Sequence, residues 1–112
     1  MRVYENQRWW LGNGWGSRLL PYERTRFSSE DGKDRFVDMA SFDLILPAGW
    51  IWEQKWRVQA TPGRTNRDGW EYGDNCWQTW GPSDRHFTRR RLWVRKMAQL
   101  RECDHLDYSD SD

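Results

Sequence analysis

Four groups of residues in this chain have side chains capable of chemistry: two histidines, two cysteines, one acidic cluster, and a run of arginines set among tryptophans. His86 and His105 sit in unrelated surroundings, the second within an acidic tail. Their spacing suits neither a paired metal site nor a nucleophile–base–acid relay. No glycine-rich phosphate loop, zinc-protease helix motif or nucleophile elbow occurs. Glu30-Asp31-Gly32-Lys33-Asp34 hints at calcium, but it lacks the ordered ligand spacing and closing glutamate of an EF-hand, and an Asp-Gly turn explains it more simply. Cys76 lies among aromatics and Cys103 in the acidic tail, a usage that suits a reducing, cytosolic setting. The expectation is no enzyme, no metal and no cofactor.

The arginines are more informative. There are 15 Arg against 3 Lys, beside 10 Trp. Solvation would be served by either cation, whereas stacking on aromatic faces favours the planar, weakly hydrated guanidinium. Phe87, Arg89, Arg91, Trp93 and Arg95 share one parity, and Thr88, Arg90, Leu92, Val94 and Lys96 the other. As a bare charge run this segment would repel itself. Rings from a neighbouring strand, with Glu5, Glu53 and Glu71 nearby, would offset the repulsion. Trp70 and Tyr72, also two apart, supply that face. The expected structural stack comprises Trp50, Trp52, Trp70, Arg89, Arg91, Trp93 and Arg95.

A second feature is the segment Cys76 to Asp84, which carries Trp77 and Trp80 between two strand candidates. Tryptophans in a connecting loop suit a membrane interface, with the ring at headgroup level. Trp77, Trp80 and Arg85 are therefore the lipid-binding candidates, with both rings folding back to cap the core as the structural alternative. Trp9, Trp10 and Trp15, around Gly12-Asn13-Gly14, form another aromatic tip, for which the core is the simpler reading. Arg and Trp are also what protein interfaces use. Single-stranded nucleic acid is held by similar residues, but the net charge of +1 argues against it.

The elements that must position these residues are strands. The chain has 112 residues, the size of one domain, and Leu, Ile, Val and Phe together number only 18, so aromatic rings must supply the missing apolar area. Periodicity of two marks Val3–Arg8, Trp50–Val58, Trp70–Tyr72 and Phe87–Lys96. Turn signals separate them at Gly12-Asn13-Gly14, Asp31-Gly32, Pro47-Ala48-Gly49, Pro62-Gly63, Asp68-Gly69 and Gly81-Pro82. Short strands at this spacing predict an all-β, sandwich-like fold. Only Met97–Glu102 reads as helical, and it is too short to stand alone. Residues 1–98 carry 17 bases and 12 acids and form the domain. Residues 99–112 carry one base and five acids and read as a disordered tail or linker. The longest apolar run, Phe42–Trp52, is too short to span a bilayer and contains Asp43, and the N-terminus lacks a signal-peptide layout, so a soluble domain is expected.

Three motifs, Val3-Tyr4-Glu5-Asn6-Gln7-Arg8, Asp68-Gly69-Trp70-Glu71-Tyr72 and Arg89-Arg90-Arg91-Leu92-Trp93-Val94-Arg95, together resemble the dysferlin (DysF) domain of ferlins, peroxins and tectonin-repeat proteins. The resemblance spans roughly residues 2–97. Leu19-Leu20-Pro21 with Arg24 looks closer to the peroxin and tectonin branch. It implies an antiparallel β fold of long strands with stacked arginines and tryptophans, and no enzymatic activity. It also implies a recognition module at a membrane, within a larger protein of membrane repair, autophagy or peroxisome and endoplasmic-reticulum organisation. Such a module would sit peripherally on the cytosolic face of a peroxisomal, reticular or lysosomal membrane. Its partners would be lipid headgroups, sphingomyelin or anionic lipids among them, or else a docked protein, and no nucleic acid.

Overall fold

A computed structural model describes residues 1–39, 46–83 and 86–100. Their strands are β1 (Arg2–Trp10), β2 (Gly14–Gly16), β3 (Phe27–Ser28), β4 (Arg35–Phe36), β5 (Trp50–Trp52), β6 (Arg57–Gln59), β7 (Trp70–Gly73), β8 (Trp80–Gly81), β9 (Thr88–Val94) and β10 (Met97–Gln99). Eight form one sheet whose main path is β4-β3-β1-β9-β7-β8, with β2 added to β1 and β6 to β9; β5 and β10 form a second, two-stranded sheet. Every strand pairing among the described residues is antiparallel, in keeping with an all-β fold. Only β1 and β9, nine and seven residues, are long.

β1 and β9 are the axis. They pair from Arg2 opposite Val94 to Arg8 opposite Thr88. β7 flanks β9 on the other side, with Trp70 opposite Arg91 and Tyr72 opposite Arg89. Because side chains alternate across a strand, this register sets Glu5, Gln7, Trp70, Tyr72, Arg89, Arg91 and Trp93 on one face. Tyr4, Asn6, Glu71, Arg90 and Leu92 lie on the other. Aliphatic packing is slight: Val3 and Phe27 form a small buried cluster, with Met1, Phe36, Met39 and Trp56 against it. Glu5, Asn6, Glu71 and Arg90 are as buried as the aromatics beside them. A core this polar is tolerable only if its groups are bonded to one another.

Two expected elements form differently. Trp50–Val58 is not one strand but two, β5 and β6, separated at Glu53–Trp56. In one extended strand Trp52 and Trp56 would stand about 13 Å apart. The turn between the strands instead brings their ring centroids to 6.0 Å. Met97–Gln99 is not helical. A lone turn has little stability of its own, and the β5 edge offers a ladder in which Ala98 faces Ile51. The Leu100 N–H then bonds the Gly49 carbonyl.

Candidate functional site

On the first face the arginines and rings alternate. Arg89 lies 4.6 Å from the Trp15 ring centroid and 3.8 Å from that of Trp70. Arg91 lies 4.5 Å from Trp70 and 5.1 Å from Trp93. The order along the sheet is Trp15, Arg89, Trp70, Arg91, Trp93. Each guanidinium is also fixed from β1: Arg89 donates through Nε and Nη2 to Gln7, and Arg91 Nε donates to Glu5 at 2.7 Å. Trp93 Nε1 donates to that same Glu5 oxygen. Burial holds Arg89 below its ordinary value, although hydrogen bonding to Tyr72 opposes the shift. Arg95 lies 4.4 Å from Trp52 and so belongs to a separate stack. Trp50 is half-buried on β5, opposite Gln99. The expected residues thus divide between the two sheets, with Trp70, Arg89, Arg91 and Trp93 in one ladder.

The opposite face holds a second stack that the sequence reading missed. Arg90 lies 4.4 Å from Tyr4 and 3.8 Å from Trp80, and donates to Glu71 at 2.6 Å. Arg64 reaches the other Glu71 oxygen. Gly73 admits this packing, because a Cβ there would stand 2.6 Å from the Trp80 ring. Beyond Trp80, Arg24 faces both Trp80 and Trp77.

Trp77 and Trp80 take the folded-back arrangement, the structural alternative, rather than that of a free loop tip. Trp77 is 8% exposed, and its Nε1–H bonds Glu23. Trp80 is held between two guanidiniums. The rings serve the polar core because Glu23, 54 positions earlier, provides an acceptor that a local reading cannot see. Arg85 lies outside the described residues. Glu23 also accepts from Arg8 and from the Leu20 N–H. Burial alone would push the Glu23 carboxyl up; those hydrogen bonds and the Arg8 charge bring it net below its ordinary value. A carboxyl lowered on folding contributes stability above its unfolded value, about 4.3, and loses it as pH falls through the folded value. Wild-type stability should therefore fall in acid, starting near that value. Glu23→Gln should show a shallower loss over the same interval, read from urea midpoints between pH 5 and pH 3.

The β1–β2 hairpin is exposed at this end of the sheet. Leu11 is 97% exposed, Trp9 42%, and Phe87, whose carbonyl accepts from the Trp9 N–H, is 53%. Arg18 lies 5.2 Å from the Trp10 ring, and Trp10 Nε1 donates to the Arg18 carbonyl. Of the three tryptophans expected in the core, Trp15 stacks as described, Trp10 is half-buried, and Trp9, 42% exposed, packs edge-on against Trp15 with ring centroids 5.7 Å apart. The signal that could have found this tip was Leu11, an apolar residue directly before Gly12-Asn13-Gly14. Nine residues of β1, about 30 Å at strand rise, separate it from a smaller apolar cleft between Met1, Leu46, Pro47, Trp52 and Met97.

Glu30 to Asp34 form a closed turn. Asp31 Oδ1 accepts from Ser29 Oγ and the Lys33 N–H, and the Ser29 N–H bonds the Asp34 carbonyl. Among the described residues no group of three His, Cys, Asp or Glu side chains could hold a metal ion. No helix of the described residues is long and apolar enough to cross a membrane.

The fold and its paired stacks define an antiparallel β domain in which arginines intercalate between aromatic rings. Residues 1–95 match the Pex24p family, described as integral peroxisomal membrane peroxin, and the chain belongs to that family. It is 34% identical over 111 residues to peroxisomal membrane protein PEX32 of Ogataea parapolymorpha, covering 91% of this chain and 30% of that protein. It is 34% identical over 127 residues to peroxisomal membrane protein PEX30 of Saccharomyces cerevisiae, covering 91% of this chain and 23% of that protein. Tectonin beta-propeller repeat-containing protein 1 of Homo sapiens is 33% identical over 99 residues, covering 86% of this chain and 8% of that protein. The chain therefore spans less than a third of each relative. These relatives agree with the resemblance to the peroxin and tectonin branch, and two of them are named as peroxisomal membrane proteins.

Proposed function

We propose that the domain is a peripheral membrane-recognition module that touches a phospholipid surface through its β1–β2 hairpin end. The observation that carries this reading is the tip itself. Leu11, Phe87 and Trp9 are exposed at this end, at 97%, 53% and 42%, and Arg18 stacks on Trp10, the next residue of β1, at the same end. Scattered single apolar residues on a surface need no explanation, but a cluster rimmed by arginine and tryptophan suits an interface. Leu11 and Phe87 would enter the acyl boundary, the indoles would lie at headgroup level, and Arg18 would meet phosphate. The relatives named as peroxisomal membrane proteins support an organelle membrane as the surface; in this reading the domain approaches it from the cytosolic side. The headgroups in view are sphingomyelin and anionic lipids. Trp77 and Trp80 act in this account by holding the loop beneath the tip.

Vesicle co-flotation of wild type and Leu11→Asp/Phe87→Asp tests the reading. Both positions are exposed, so the variant should melt with the wild type. Burying those two side chains contributes about 1.5–3 kcal/mol each, so flotation should fall at least about tenfold. Wild-type protein that floats with no vesicle of phosphatidylcholine, sphingomyelin or anionic lipid would move the assignment to protein docking.

A further inference from the structure

Beside the hairpin end, and separate from its apolar tip, an open cleft of about 480 Å³ lies between Tyr22, Arg24, Lys33, Arg35, Cys76 and Trp77. Arg24 is fixed in it by the Trp77 and Trp80 rings, 5.1 and 5.8 Å from its guanidinium carbon, and by donation to the Glu30 carbonyl. Gly32 makes the room. Its φ is +78°, and a Cβ there would stand 2.8 Å from Arg24 Nε. Lys33 and Arg35 are exposed at the rim, and Arg35 Nη2 donates to the Glu23 carbonyl.

Two carboxylates line the same cleft. Glu23 is neutralised by Arg8, and its oxygens already accept from Arg8, the Leu20 N–H and Trp77. That leaves Asp31, tied into its own turn, against the three positive charges of Arg24, Lys33 and Arg35. Burial and the neighbouring Arg90 charge hold Arg24 below its ordinary value, with Asp31, Tyr4 and Glu30 opposing the shift. A guanidinium held by its stacking partners has less rotamer freedom to lose when it meets an oxyanion.

We propose that this cleft binds a phosphate-type oxyanion, with Arg24 as the fixed fork and Lys33 and Arg35 closing on it from the rim. The shared chemistry is a tetrahedral anion with several acceptor oxygens, carried by a lipid headgroup or by a soluble phosphate. The site goes beyond the membrane reading, because it uses none of the tip residues.

The test is an ¹⁵N NMR titration of the chain with inorganic phosphate at constant ionic strength in chloride. Saturable shifts of the Gly32, Lys33 and Cys76 amides and of Arg24 Nε are expected. Lys33→Glu/Arg35→Glu should weaken them at least about tenfold, the scale of losing charge-assisted hydrogen bonds. Lys33→Gln/Arg35→Gln, which adds no repulsion, should fall between the two and serves if the reversal variant does not fold. Absence of saturable shifts in the wild type, or equal shifts in a folded variant, would overturn the site. Flotation with phosphatidylcholine vesicles, with and without phosphatidylserine, identifies the source. Phosphatidylserine-dependent binding that the rim variant loses and free phosphate competes away assigns a headgroup. Phosphate shifts with no vesicle difference between wild type and rim variant assign a soluble phosphate. Leu11→Asp/Phe87→Asp should keep its phosphate shifts, so loss of the tip reading and loss of the cleft are separable.

Discussion

Replacing Glu71 by alanine should lower the stability of the domain by about 3–5 kcal/mol, the cost of breaking a buried ion pair by removing one partner. Both side chains of the Arg90–Glu71 pair are 3% exposed. Arg90 cannot turn out to water, because Tyr4 and Trp80 close on its two sides and the Glu30 carbonyl accepts one of its donors. Without Glu71 a charged guanidinium stays inside with a single carbonyl for its donors. Arg64 also loses its partner, but it is 54% exposed and water replaces that bond. The contrast is the Lys96–Glu53 pair, 66% and 38% exposed, where Glu53→Gln should change stability by no more than about 1 kcal/mol. Urea midpoints at neutral pH measure both. A Glu71→Ala loss as small as the Glu53→Gln loss would mean that Arg90 finds another partner.

The second large effect is expected at Trp70. Trp70→Ala should cost about 3–5 kcal/mol, as for other buried aromatic truncations. The ring is 5% exposed and separates Arg89 from Arg91, 3.8 and 4.5 Å from its centroid. Its removal leaves a cavity and turns two like charges toward the same space, whereas each cation–ring contact had contributed about 0.5–2 kcal/mol. Trp70→Phe keeps a smaller ring in place and should lose markedly less. Equal losses for the two substitutions would show that volume alone, and not the stack, sets the effect.

The Trp70 ladder was legible because period two runs through both strands at once. Arg89 and Arg91 share parity on β9, Trp70 and Tyr72 share it on β7, and antiparallel pairing then forces them together. The turns at Gly12, Gly32, Gly49, Gly63 and Gly69 were legible too, since each of these glycines adopts a positive φ. The Arg90 stack was not, because its rings, Tyr4 and Trp80, come from β1 and β8, although Glu71 was among the carboxylates expected near the arginines. The burial of Trp77 was hidden for a similar reason. A tryptophan in a loop suggests exposure, yet its N–H can be satisfied inside by a distant carboxylate, whereas Leu11, apolar as it is, sits in the turn between β1 and β2 and stays 97% exposed. Trp50–Val58 misled because alternation persists across a break: β5 and β6 each keep period two while belonging to different sheets. The β10 strand depended wholly on that break, since without β5 its residues have no ladder to join.

The central claim is that the hairpin tip, and not the tryptophan loop or the opposite end of the sheet, meets the membrane. Paramagnetic broadening by lipids that carry a nitroxide at the acyl boundary, read on ¹⁵N amides of the chain bound to nanodiscs, tests it directly. Strong broadening at Leu11, Gly12, Asn13 and Phe87, with little at Trp77 to Thr79 and none at Met97 to Gln99, is the predicted pattern. Broadening centred on Met97 to Gln99, or none at Leu11 in protein that is demonstrably bound, would contradict it.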